Sequence, residues 1–430
     1  MYYAEWEYTP IEGDGWYLIR YLLSNINKGE LMLAFFVYDI YYKNVGVYKF
    51  FPTKDASLYS YHPSRSAGID EMLEVYNENN ITVSPQVARY VVQFDQTDIN
   101  NFISTNSATS SLAFSLRNYI AYADGFNLDT KLYIYPVSGS WENGTGKFAD
   151  SPETTNGVSW LFRDYADGTS WNFASNPYTT QSYDPTYTSE GGGVWFTGSA
   201  DGKQLEVTQS FSLRSSKDIN VSVTDIGLAW YSSSNSIGSD TDIQNNGFLI
   251  KLDNSVEFNT SQSISPQSKF FSVDTNTIYP PALELKWKDF LNTSSGSTKQ
   301  TITSVTEEFS LSLREQPTEI MPDSVVKFKI DVREKYPTRA YNTILDDTLN
   351  KYFLPLTSYY AIQDVDTNEY IIDFDTTYTQ ISRDQNHSYF NLYMNGFEPE
   401  RYYKVLVKSV FNNQTYIYDD KLYFKVVNNI

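Results

Sequence analysis

The stretch Trp141-Glu142-Asn143-Gly144-Thr145-Gly146, taken with Trp160, is the part of the chain whose residue types come nearest to a binding site. Indole rings stack on the apolar face of a pyranose, and Glu142 and Asn143 carry groups that bond sugar hydroxyls. A second reading uses the same residues structurally: a glycine-shaped loop whose Trp141 and Trp160 rings plug the end of a β-sandwich. Residue type does not separate exposed from buried indoles, so both readings stand at this point.

Other chemistry finds less support. Paired carboxylates suggest a glycosidase, but with 52 acidic residues such pairs arise by chance, and Glu142, Glu153 and Asp164 have no better claim than other acids. The spacing that defines such a pair, roughly 5 to 9 Å, is a property of the fold. Histidine occurs twice, at His62 and His387, and cysteine not at all. Disulfides and thiolate zinc sites are therefore excluded, and histidine triads nearly so. Asp240-Thr-Asp242, ahead of Asn245-Asn-Gly247, is a candidate structural Ca²⁺ turn. Asp364-Val-Asp366-Thr-Asn368 resembles the start of an EF-hand loop, but Glu369 stands where the sharp turn needs glycine, so a hairpin tip is expected. The expectation is a chain with no catalytic site and no cofactor.

The charge balance of 32 basic and 52 acidic residues gives −20, which opposes binding to a phosphate backbone. Met1 is followed by Tyr-Tyr-Ala-Glu-Trp-Glu rather than by a basic and then apolar run, so a secretory signal is not expected. The apolar run 31–42 contains Asp39 and falls short of the roughly 20 residues that span a bilayer, so no membrane insertion is expected.

The elements that would position these residues read as strands. The chain has 37 Tyr, 26 Phe and 8 Trp, and aromatic residues suit half-buried sheet faces. Arg89-Tyr-Val-Val-Gln-Phe94 and Lys131-Leu-Tyr-Ile-Tyr135 alternate cleanly, and Phe248-Leu-Ile-Lys-Leu252 is a compact apolar run. Only 70–76 and 96–104 look like short helices. Residues 291–298, Leu-Asn-Thr-Ser-Ser-Gly-Ser-Thr, form the best linker candidate. The expected organisation is an N-terminal β segment or docking arm (1–46), a jelly-roll domain (47–295) and an immunoglobulin/fibronectin-III-like domain (300–430). The fold class is all-β. Trp6, Tyr8, Phe35 and Phe36 in the arm are candidate assembly contacts, because so short a β-rich segment cannot easily bury itself alone.

In the last domain, Phe397-Glu-Pro399-Glu-Arg-Tyr402-Tyr403-Lys-Val405 resembles the tyrosine corner of fibronectin-III-like sandwiches, with Tyr403 at the corner. The middle domain resembles DNRLRE-type jelly-roll modules. The resemblance rests on 54–59, 68–74 and 89–95, then Leu132-Tyr-Ile-Tyr-Pro136 through Trp141 and Gly146, then Asn156-Gly-Val-Ser-Trp160; Tyr279-Pro-Pro-Ala-Leu-Glu-Leu-Lys-Trp287 follows them. With an immunoglobulin-like domain after it, the combination is similar to neck, ring and tail proteins of large tailed phages, crAss-like or similar. That resemblance implies a virion structural protein made in the host cytoplasm. Its partners would be copies of itself and other virion proteins, not nucleic acid. The alternative is a carbohydrate-binding adhesin or spike that takes host polysaccharide. A glycan-degrading enzyme comes third.

Overall fold

The computed structural model describes residues 46–428, apart from 79–85, 107–110, 126–129, 172–178, 181–190, 212–215, 237–242, 260–265, 289, 304–308, 316, 318 and 337–351. The fold is all-β. Strands between Gly46 and Trp287 build a jelly-roll-type sandwich. One sheet runs Gly46–Phe50, Ala282–Trp287, Ala113–Asn118, Ile219–Ser222. The other has eight strands, in the order Val207–Phe211, Thr130–Pro136, Phe248–Leu252, Gln86–Gln93, Met72–Glu78, Gln267–Phe271, Ile120–Asp124, with Lys54–Tyr59 also paired to Gln86–Gln93. All these pairings are antiparallel.

Alternation explains how the large sheet is buried on both faces. In Gln86–Gln93, Tyr90 and Val92 enter the core between the sheets with Leu73, Phe114, Ile134 and Leu285. Val87 and Val91 point the other way, into a second cluster with Leu58, Trp141, Trp160, Trp171 and Trp195. Those indoles belong to the described stretches 137–171 and 191–200, which cover the outer face as a third layer.

Two segments depart from the expected elements. Residues 70–76 are not helical: Met72–Glu78 is a strand paired to Gln267–Phe271. Leu73 and Val75 are buried and their neighbours are not, a period of two that burial selects over the weaker helical pattern. Gln96–Thr105 is a helix as expected, capped by Asp95, with Ile99 and Ile103 on its buried side. A second helix, Thr224–Ser234, was not foreseen; it presses Gly227 against the Phe114 ring, where any side chain would collide.

Strands from Gln300 to Val426 form an immunoglobulin-like sandwich. Phe309–Arg314, Val325–Glu334 and Ser388–Tyr393 make the A–B–E side, extended by the short strands Gln300–Thr301, Tyr352–Phe353 and Ser382–Arg383. Glu319–Ile320, Gln414–Val426, Arg401–Phe411, Ser358–Asp364 and Tyr370–Ile372 make the A′–G–F–C–C′ side, with A′ parallel to G. Tyr403 lies at the start of strand F, and its hydroxyl donates to Glu398 O at 3.2 Å. That is the tyrosine-corner geometry, with the ring edge-on to Phe397 at 4.9 Å. Residues 364–370 form the expected hairpin tip, where Asp364 Oδ1 accepts from the Asp366 and Thr367 amides and Arg401 closes on the same carboxylate.

The first strand serves both cores. Within Gly46–Phe50, Phe50 packs in the first sandwich and Val47 joins the core of the second, while Tyr393 of the second reaches the first. The 291–299 run lies along the second sandwich: Leu291 O accepts from Arg383 N at 2.9 Å, and Thr293 N donates to Arg383 O at 2.9 Å.

Candidate functional site

Of the residues expected to form a sugar platform, the two rings are closed off. Trp141 is 1% exposed and Trp160 5%, both within the layer over the outer face of the large sheet. Trp141 donates its Nε1–H to Asn246 O at 2.9 Å, and Asn143 Nδ2 donates to Gly68 O at 2.6 Å. The loop cannot lift easily, because Gly144 and Gly157 pack backbone against backbone where a Cβ has no room. Only Glu142 projects into solvent, 4.0 Å from Lys54 Nζ. A platform needs an open ring face, so the plug reading replaces the platform reading for Trp141, Glu142, Asn143 and Trp160. The Ca²⁺ candidates Asp240 and Asp242 and the arm residues Trp6, Tyr8, Phe35 and Phe36 lie outside the described residues. Among the described residues no group of three or more His, Cys, Asp or Glu could hold a metal ion, and no helix is long and apolar enough to cross a membrane.

Beneath Trp160 sits a charged cluster that the sequence did not advertise. Arg89 binds Glu257 through two hydrogen bonds, Nε to Oε1 at 2.7 Å and Nη2 to Oε2 at 2.8 Å, and Lys251 Nζ lies 2.9 Å from Glu257 Oε2. All three side chains are buried. The Arg89 guanidinium lies 4.9 Å from the Trp160 ring centre and 5.4 Å from that of Trp195, while its Nη1 donates to Gly192 O at 2.7 Å. Gly192 holds φ +77° against Arg89 and Trp160, so a side chain would be both strained and obstructed there. Burial alone would raise the Glu257 carboxyl, but the Arg89 and Lys251 charges outweigh it and hold the group below its ordinary value. Burial draws the Lys251 ammonium down despite Glu257. With both cations committed to one carboxylate, the cluster ties strands to the overlying loops and offers no free base.

Solvent-accessible chemistry collects instead where the two sandwiches meet. A cleft of about 540 Å³ is bounded by Tyr48, Phe50 and Phe51 at the end of the first strand, by the helix Gln96–Thr105, and by Asn395 of the second sandwich. Its floor is the Tyr48–Phe102 stack, with ring centres 3.9 Å apart and an interplanar angle of 28°. Asn395 Nδ2 donates to the Tyr48 hydroxyl at 2.9 Å, while Asn395 Oδ1 is closed from water and accepts nothing. Burial and the Asp323 and Asp98 carboxylates push the Tyr48 hydroxyl up, which keeps it a neutral donor and acceptor. Lys49, which also lines the cleft, is buried 3.8 Å from Glu284, which in turn lies 3.4 Å from Arg117 and 3.3 Å from Lys286. Desolvation pulls Lys49 down to about 8 although Glu284 opposes it. Arg117 in turn reaches Glu369 of the second sandwich at 3.8 Å.

Compared with known proteins, the chain matches no family model, no curated protein and no solved structure.

Both histidines are fixed by carboxylates that also hold an arginine. His62 Nδ1 is 2.7 Å from Glu153 Oε1, which accepts from Arg65 Nη2 at 2.8 Å. His387 Nδ1 is 3.1 Å from Asp331 Oδ1, and Arg314 Nε donates to Asp331 Oδ2 at 2.7 Å. A carboxylate shared in this way serves as a clamp on local structure. The signal that could have disclosed the Arg89 cluster is in the strand itself: Val87-Ala-Arg89-Tyr-Val91 puts a charge on the same strand face as two valines, and a charge covered with them demands a buried partner.

Proposed function

We propose that the chain is a structural component of a tailed bacteriophage particle, in its neck, ring or tail, acting through contacts with copies of itself and with other virion proteins. The observation that carries this reading is the outer face of strands Arg401–Phe411 and Gln414–Val426. Tyr402, Ile417 and Tyr423 are 54, 48 and 46% exposed there. In register, each stands opposite a lysine: Tyr402 to Lys425, Tyr423 to Lys404, Ile417 to Lys408. Those lysines are occupied along the sheet, Lys404 by Asp419 at 2.9 Å, Lys425 by Glu400, and Lys408 over the Phe374 ring at 4.7 Å. These three apolar side chains are thus presented beside lysines that are already engaged, the composition of a protein contact, in which tyrosine is enriched and unpaired charge is depleted. The conspicuous ionic clusters, by contrast, are locked into the fold. The resemblance of the sequence to neck, ring and tail proteins points the same way.

The test is to purify particles of a phage that encodes the chain and measure its copy number by quantitative mass spectrometry. A symmetric multiple is expected, and Tyr402→Glu with Tyr423→Glu should leave the isolated chain folded while removing it from particles. Absence of the wild-type chain from particles would sink the reading.

A further inference from the structure

Two sandwiches in one chain ordinarily shift against one another, because the contact between domains tends to be modest and polar. Here the contact is an exchange of core side chains. Gly46–Phe50 is paired along its length to Ala282–Trp287 of the first sandwich, and Phe50 packs in that core. Val47, on the same strand, is 5% exposed inside the core of the second, with Met394 and Phe397. In return Tyr393 of the second sandwich enters the first core. Its ring centre lies 5.3 Å from that of Trp287 and 5.7 Å from that of Phe102.

Neither core is complete without a side chain carried by the other sandwich. Parting them would leave a void at Val47 in one and at Tyr393 in the other, and close-packed cores do not tolerate voids cheaply. Polar groups add less to the hold. Arg117 lies 3.8 Å from Glu369 and donates to Tyr370 O at 3.4 Å, both long for contacts of a charged donor. Residues 291–293, which follow the first sandwich in sequence, are tethered to the second: Arg383 N donates to Leu291 O and Thr293 N to Arg383 O. We propose that Gly46–Phe50 is a strap that holds the two sandwiches at one angle and makes them unfold as one unit, so that a load on the second passes into the first. This inference stands whatever the chain assembles with.

The experiment is double electron–electron resonance on the full chain, spin-labelled at Tyr122→Cys and Ile417→Cys. Both positions are exposed, they lie on strands of different sandwiches, and the chain has no cysteine of its own. One narrow distance is expected, unchanged at about 1 M salt, where charges are screened beyond about 3 Å. A broad distribution at either salt, as from two independently tumbling bodies, overturns the proposal. Urea unfolding supplies a second readout. Every described tryptophan lies between Trp141 and Trp287, in the first sandwich, and a fluorophore at Ile417→Cys reports on the second. The two midpoints should coincide, and Val47→Ala should lower both together. Separate midpoints, or a fall in that of the second sandwich alone, overturn it as well.

Discussion

Arg89 and Glu257 meet through two parallel hydrogen bonds of 2.7 and 2.8 Å, and neither side chain is exposed to solvent. The residues are 168 positions apart, so the pair pins a central strand to the short helix Asn254–Glu257 under the tryptophan layer. Removing one partner strands the other charge in a medium that cannot solvate it. Glu257→Gln should therefore cost about 3–5 kcal/mol in urea unfolding, because it leaves Arg89 and Lys251 both uncompensated. Replacing Arg89, Lys251 and Glu257 together by Met should cost much less. A triple variant as unstable as Glu257→Gln would show that these groups contribute by shape rather than by charge.

The corner tyrosine gives a smaller, cleaner test. Tyr403→Phe keeps a ring packed against Phe397 and Phe424 and deletes the hydroxyl that donates to Glu398 O. One hydrogen bond of this kind is worth about 0.5–1.5 kcal/mol, and the loss should appear in the unfolding transition of the immunoglobulin-like sandwich. A neutral substitution would mean that the hydroxyl finds water in its place.

These two cases also mark how far the sequence could be read. The corner was legible because its parts, Phe397, Pro399 and Tyr403, are local and their spacing is set by one turn. The strands at 89–94, 131–135 and 248–252 were legible because burial on a sheet leaves a period of two. Residues 70–76 misled because Met72, Leu73, Val75 and Tyr76 satisfy both periods, and only pairing with 267–271 decides between them. Trp141 and Trp160 were ambiguous because an indole has the same chemistry in a plug as on a platform. The cleft was not legible at all: Tyr48 and Asn395, which share a hydrogen bond there, are 347 residues apart.

Asp55 provides a pH-dependent prediction. It is buried on strand Lys54–Tyr59, where Oδ2 accepts from Val273 N at 2.7 Å and Oδ1 has no partner. Desolvation raises its carboxyl to about 8, further helped by Asp274. The folded state therefore holds a proton that the unfolded chain releases near its ordinary value of 3.8. Stability from this group is complete below that value and is lost as pH rises toward 8. Asp55→Asn keeps the acceptor for Val273 and cannot ionise. It should be close to neutral at pH 4 and stabilising by roughly 4–6 kcal/mol at pH 8, near 1.36 kcal/mol per unit of pH between the two values, measured as a difference in urea unfolding free energy. An equal effect at both pH values would mean that the carboxyl ionises normally in the folded protein.

Lys49 has the opposite sign. Its ammonium is buried at the junction, facing Glu284, Lys286 and Arg117 of the first sandwich and Glu369 of the second, and its folded value falls to about 8 from 10.5. Between those values the unfolded chain binds the extra proton, so the wild type gains stability as pH rises from 8 toward 10. Buried tyrosines such as Tyr90, whose hydroxyls burial pushes up, act the other way only above about pH 10, and the other ammonium groups that burial draws down, Lys251, Lys54 and Lys327, titrate alike in wild type and variant, so the difference between the two isolates Lys49. Lys49→Met removes the titration but retains an unbranched apolar stem beside Gly396, where the lysine chain already packs closely. The wild type should therefore gain on Lys49→Met by about 2–3 kcal/mol between pH 8 and 10, near 1.36 kcal/mol per unit of pH. A difference that stays flat over that range would place a solvated ammonium at the junction, and with it a looser contact between the two sandwiches than the 3.8 Å approach of Lys49 to Glu284 describes.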